Sequence, residues 1–123
     1  MNVVDSSAWI TFFTGARHCK TFAGPISEFG ELLVPSITLH EVYRYLQRHL
    51  DHAAALNATA NMQRGRVVAL DGQLAIEAAL VAEEHRLPLA DSIIYATARR
   101  YDAVVWTQDG DFKGLDKVQY FAP

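Results

Sequence analysis

Short aliphatic runs recur along the chain, NVVD at 2–5, LLVP at 32–35, RVVAL at 66–70 and AVVWT at 103–107, and between them lie residues spaced as in helices. Strands separated by helices cannot pair as hairpins; each returns to the sheet in the same direction. The alternation therefore predicts an α/β fold with a central parallel sheet of four to five strands, VQYF at 118–121 being the fifth, covered by helices on both faces. Ligands of such sheets bind beyond the carboxyl ends of the strands. Asp5 ends the first run and Asp109 follows the fourth, so both are expected on that rim.

The helices can be placed between the runs. SSAWITFFTG reads as a helix with a Ser cap and Gly15 as its stop. In the stretch from Ala16 to Gly30 the Gly24-Pro25 pair predicts a break into two short helices. SITLHEVYRYLQRHL carries Leu39, Val42, Tyr43, Leu46 and Leu50 at helical spacing, and the alanine-rich HAAALNATANMQRG is expected to pair with it as a helical hairpin. LAIEAALVAEEH and LPLADSIIYATARRY are two more helices, the second starting near Pro88.

With 123 residues there is room for a single domain and no second one. No segment approaches the roughly 18 apolar residues that a membrane helix needs. MNVVDSSAW lacks the basic flank of a secretory signal, so a cytoplasmic protein is expected. The single cysteine, Cys19, has no partner for an intrachain disulfide. A net charge of -3 argues against a nucleic-acid partner, until the acids are placed. If five of the fourteen acids surround a cation, nine remain against eleven basic residues, a balance of +2.

Taken singly, each acid has an ordinary explanation. Asp5 suits an Asx-turn or a cap, Asp91 suits the first turn of a helix, and Asp109 and Asp111 flank Gly110 as turn residues do. Thr38-Leu-His-Glu41 matches a capping box, although Glu41 also sits at the margin of the apolar stripe, from where it can turn into a cleft. As a set they say more, because all five fall at the sheet rim or at helix starts that can face it. Crowded carboxylates repel one another, which costs stability unless a cation is present. Oxygen-only donors suit Mg2+ or Mn2+, ions that activate water toward phosphodiesters and stabilise the departing oxygen.

MNVVDSSAW, PSITLHEVYRYL, LPLADSIIYATAR and WTQDGDF, in this order and from end to end of the chain, resemble the PIN-domain ribonucleases, specifically the VapC-like toxins of bacterial toxin-antitoxin pairs. The resemblance implies a PIN-like three-layer α/β/α sandwich in which Asp5, Glu41, Asp91 and Asp109 hold Mg2+ or Mn2+, with Asp111 a less regular fifth acid. It implies that Ser7 and Thr107 orient carboxylates or bound water. It further implies RNA as substrate, a homodimer, and a VapB-like antitoxin that lays a segment across the active-site groove. A PIN-fold module that grips RNA or protein without cutting is the alternative. A signalling receiver is disfavoured by the missing acid pair in DSSA and the missing lysine in VQYFAP, and an aspartyl phosphatase by the absence of D-x-D at Asp5.

Other residues fit lesser roles. His40, His49 and His52 lack a third zinc ligand in register and read as surface residues. Arg44 and Arg48 follow Glu41 by three and seven residues and are candidates for contact with an RNA backbone. Trp9, Phe12 and Phe13 form an aromatic stripe that belongs to the core, with one or more of them reaching the antitoxin groove if the resemblance holds.

Overall fold

A computed structural model describes residues 1–123. Five strands, β1 (Asn2–Val4), β2 (Leu32–Pro35), β3 (Arg66–Val68), β4 (Val104–Thr107) and β5 (Val118–Tyr120), form one sheet in the order β3-β2-β1-β4-β5, and every neighbouring pair is parallel. Six helices connect and cover them: α1 (Ser6–Thr14), α2 (Cys19–Ser27), α3 (Ser36–His49), α4 (His52–Met62), α5 (Gly72–His85) and α6 (Leu89–Arg100). The expected three-layer α/β/α sandwich is what forms.

Alternate residues of a strand point to opposite faces, and this divides the core in two. Val3, Leu33 and Val105 pack with α5 and α6, among them Leu74, Ala78, Val81, Ile94 and Ala98. Val4, Leu32 and Val34 pack with α1 to α4 through Ala8, Trp9, Phe22, Val42, Leu46, Ala55 and Met62. Each such side chain contributes about 1.5–3 kcal/mol on full burial. Helix α6 is buried from Ser92 to Ala98, and its alanines let it lie close to the sheet. No helix is long and apolar enough to cross a membrane.

Local details correct three expectations. The cap of α1 is Asp5 and not a serine: its Oδ1 accepts a hydrogen bond from the Ala8 amide at 3.2 Å. Gly15 does end the helix, in the left-handed conformation at φ 69°. The Gly24-Pro25 pair does not split α2, which runs through it as one helix. Proline forfeits one helical hydrogen bond, a loss offset here by the burial of Phe22, Pro25 and Ile26 against the core. Finally, Thr38 is no cap; α3 starts two residues earlier, and the Thr38 hydroxyl donates to the Pro35 carbonyl at 2.7 Å from inside the helix.

Gly65, just before β3, is required for space. A Cβ there would lie 3.0 Å from the Leu32 carbonyl oxygen and 3.0 Å from Val34 Cγ2. A backbone oxygen in a sheet cannot give way cheaply, so Gly65→Ala is expected to cost about 1–3 kcal/mol in urea unfolding. A neutral substitution would mean that β2 and β3 are packed more loosely than this.

Candidate active site

The sheet changes direction of growth at β1, whose neighbours are β2 on one side and β4 on the other. Loops leaving β1 and β4 part there and open a crevice at their carboxyl ends. Asp5 leaves β1 with its amide bonded to the Trp106 carbonyl at 3.1 Å, which ties it to β4. Its side chain is only 2% exposed, and Oδ1 accepts from the Ser7 hydroxyl at 2.8 Å as well as from Ala8. Burial pushes the Asp5 carboxyl up to about 6. Hydrogen bonds from Ser7, Ala8 and Thr107 limit that rise, and the Asp109 charge adds to it.

Thr107, fully buried at the end of β4, accepts the Asp109 amide on its hydroxyl oxygen at 2.9 Å. Asp109 in turn accepts the Asp111 amide at 2.9 Å and caps a 3-10 turn, Gly110–Phe112, which the buried Phe112 ring anchors in the core. The Asp-Gly turn and the site are therefore the same object: the turn presents both carboxylates. From α6, Asp91 meets them. One carboxylate oxygen from each of Asp91, Asp109 and Asp111 lies within 4.8 Å of the others. Desolvation first, then the Asp109 charge, a hydrogen bond with the Asp111 side chain and the charges of Asp5 and Asp111 push Asp91 up to about 8. Four aspartates from three separate parts of the chain thus act on one another.

Glu41 stands apart from that trio. Instead of closing a capping box it accepts the Ser6 hydroxyl at 2.6 Å, a bond between α1 and α3. It lines a groove of about 650 Å3 between α3 and the start of α6, along with His40, Arg44, Tyr45, Arg48, His49 and Ala90, the neighbour of Asp91. Sequence reading treated Ser6 only as a capping residue, and nothing in one sequence pairs residues 35 positions apart. Gln108 was missed as well; its amide bonds Ser7 Oγ at 3.4 Å while its side-chain oxygen is buried without a protein partner.

His40, His49 and His52 are exposed and form no ligand group; His52 bonds the Tyr43 hydroxyl, and His49 Nδ1 bonds the Tyr45 carbonyl at 2.9 Å. Of the aromatic stripe, Trp9 is 1% exposed and stacks on Phe13 with centroids 5.6 Å apart, so it belongs to the core and cannot meet a partner directly. Phe12 and Phe13 are half-buried, and Phe13 lines a small hollow with Leu46, Leu50 and Ala58.

The donor set fits a hard divalent cation. It offers oxygens only, gathered at a spacing such an ion can bridge, and its members disfavour one another's ionisation, a cost that a cation removes.

Comparison with known proteins agrees with this construction. The PIN domain family model matches residues 3–118. A search of curated proteins finds no match. Among solved structures, a toxin-antitoxin complex from Klebsiella pneumoniae superposes with a TM-score of 0.82 at 22% identity, covering 100% of both chains. VapC20 of Mycobacterium tuberculosis, described as a sarcin-ricin loop cleaving toxin, gives 0.78 at 21% identity, covering 96% of this chain and 97% of that one. DNA-bound VapBC from Salmonella typhimurium gives 0.72 at 20%, covering 98% and 96%. At these identities the structures speak for the fold, and the family match over nearly the whole length decides the rest: the chain belongs to the PIN-domain family.

Proposed function

We propose that this chain is the VapC-like toxin of a toxin-antitoxin pair, an endoribonuclease that hydrolyses RNA phosphodiesters to leave 5′-phosphate and 3′-hydroxyl ends. The convergence of Asp5, Asp91, Asp109 and Asp111 on the crevice between β1 and β4 carries this reading. Asp91, Asp109 and Asp111 would hold Mg2+ or Mn2+, with Asp5 and Glu41 completing the acidic wall. When bound, such an ion lowers the pKa of a coordinated water and stabilises the negative charge that develops on the phosphodiester.

The chain's own residues provide the frame. Ser7 and the Ala8 amide hold the Asp5 carboxyl at the end of β1. Thr107 fixes the turn that carries Asp109 and Asp111. Asp91, whose carboxyl is pushed up to about 8 by burial first and then by the neighbouring aspartates, would have to release its proton to serve as a ligand. Glu41 is oriented by Ser6, and Ser6→Ala is expected to lower the cleavage rate about tenfold while Asp5→Ala abolishes it. An unchanged rate in Ser6→Ala would show that Glu41 needs no such support.

Two partners complete the proposal. The hollow beside Phe13 and the exposed Leu50 offers an antitoxin segment an apolar foothold. Ile76 and Leu80, one turn apart on α5 and each 67% exposed, together with Leu89 at 77%, suit a homodimer. The direct experiment incubates the purified chain with end-labelled RNA in Mg2+, Mn2+ or EDTA. Cleavage with either ion and none in EDTA is expected; binding without cleavage under every ion would make the chain a PIN-fold RNA-binding module instead.

A further inference from the structure

Helix α3 carries two parallel rows of side chains away from the acidic crevice. Residues four apart lie one above the other on a helix, so His40, Arg44 and Arg48 form one row and Glu41, Tyr45 and His49 the next. The second row starts at Glu41 and ends in an aromatic pair: the Tyr45 and His49 rings are stacked, with centroids 4.0 Å apart and planes 15° from parallel. Both rings are exposed, Tyr45 at 37%. The first row presents two guanidinium groups with no carboxylate partner, whereas Arg99 and Arg100 are engaged with Glu84, Asp71 and Glu77. All six residues line the same groove, whose other wall, Pro88 to Ala90, leads directly to Asp91.

Unpaired guanidiniums beside an exposed, prestacked aromatic pair are what a single-stranded nucleic acid binds, backbone on the charges and a base on the ring face. A duplex keeps its bases stacked on each other and has none to offer. Resting on the ribonuclease reading, we propose that the α3 groove is a track for unpaired RNA, in which Arg44 and Arg48 hold phosphates while Tyr45, backed by His49, stacks one base next to the cleavage site. Selection of unpaired over paired RNA then resides in α3, and not in the acidic cluster.

Fluorescence anisotropy with a labelled single-stranded oligoribonucleotide of about ten nucleotides, and with the same strand annealed to its complement, tests the track. The full chain carrying Asp91→Asn keeps the RNA intact. Single strand is expected to bind at least about tenfold more tightly than duplex, and Tyr45→Ala to lose about tenfold on the single strand alone. Tyr45→Phe restores the affinity. Removing both guanidiniums with Arg44→Ala and Arg48→Ala lowers the slope of log affinity against log salt by about 1.4. Equal binding of duplex and single strand, or full affinity in Tyr45→Ala, overturns the proposal. Should Tyr45→Ala fold poorly by circular dichroism, Tyr45→Leu, which keeps apolar bulk and removes the ring face, is expected to show the same loss of about tenfold on the single strand, and full affinity in it overturns the proposal. Cleavage by the unsubstituted chain is scored separately on the same oligonucleotide. Its absence with the binding pattern intact defeats the ribonuclease reading and leaves the track, while cleavage with indifferent α3 variants defeats only the track.

Discussion

Replacing Asp91 with asparagine is expected to abolish RNA cleavage and, in the same molecule, to raise the melting temperature of the metal-free protein. The two effects have one cause. Asp91 is held among Asp5, Asp109 and Asp111, and its carboxyl is pushed up to about 8 by desolvation and by those charges. Asparagine keeps the shape and removes the charge. Activity should fall at least about a hundredfold, because Asp91 would be a ligand of the ion that stabilises the charge developing in the transition state. Stability should rise on the order of 1 kcal/mol, a figure kept small because Asp91 retains solvent contact, which corresponds to about 3–6 °C for a domain of this size. A purely structural aspartate would behave in the opposite way, lowering the melting temperature when replaced. Functional sites commonly carry such stored cost.

Without metal, the protein is expected to lose stability as pH rises, against the usual behaviour of paired carboxylates. Asp5 and Asp91 have folded-state pKa values of about 6 and about 8, both above the ordinary 3.8. The folded state therefore binds more protons than the unfolded chain between these limits, and ∂ΔG/∂pH is negative there. Stability from these groups is complete below about pH 4 and is lost as pH climbs through 6 and then 8. Asp5, almost wholly buried, accounts for about 2–3 kcal/mol of the decline; Asp91 adds to it. Asp102, whose carboxyl is lowered by its contact with Lys117, acts only in the acid range and does not oppose this slope. Saturating Mn2+ should flatten the curve by binding the folded state, which yields about 2.7 kcal/mol at a hundred times Kd. Urea melts at pH 4 and pH 9, with EDTA and with Mn2+, measure both. A flat or rising profile in EDTA would mean that neither burial nor the neighbouring charges raise these two carboxyls.

Much of the fold was legible because strands and helices alternate with little noise: all five apolar runs became parallel strands, VQYF among them. Asp5, Asp91, Asp109 and Asp111 could be placed together because a parallel sheet has one functional rim and their positions along the chain all reach it. Local motifs served less well. Thr38 to Glu41 has the letters of a capping box, but a helix start is set by where the preceding strand releases the chain, and β2 ends at Pro35. Gly24-Pro25 looks like a break, yet the burial of Phe22 and Ile26 outweighs one missing hydrogen bond. Trp9 carries the signature of a groove aromatic and of a core aromatic alike, and only the packing of α1 on the sheet separates them. Contacts across the chain, Ser6 with Glu41 or Ser7 with Gln108, have no local signal at all.

The decisive measurement is anomalous X-ray diffraction from crystals grown with Mn2+. A peak in contact with carboxylate oxygens of Asp91 and Asp109, on the Asp5 side of the crevice, is the expected result. Density for manganese elsewhere on the surface, with the four aspartates left empty at saturating ion, would contradict the assignment of this crevice as a metal-dependent active site.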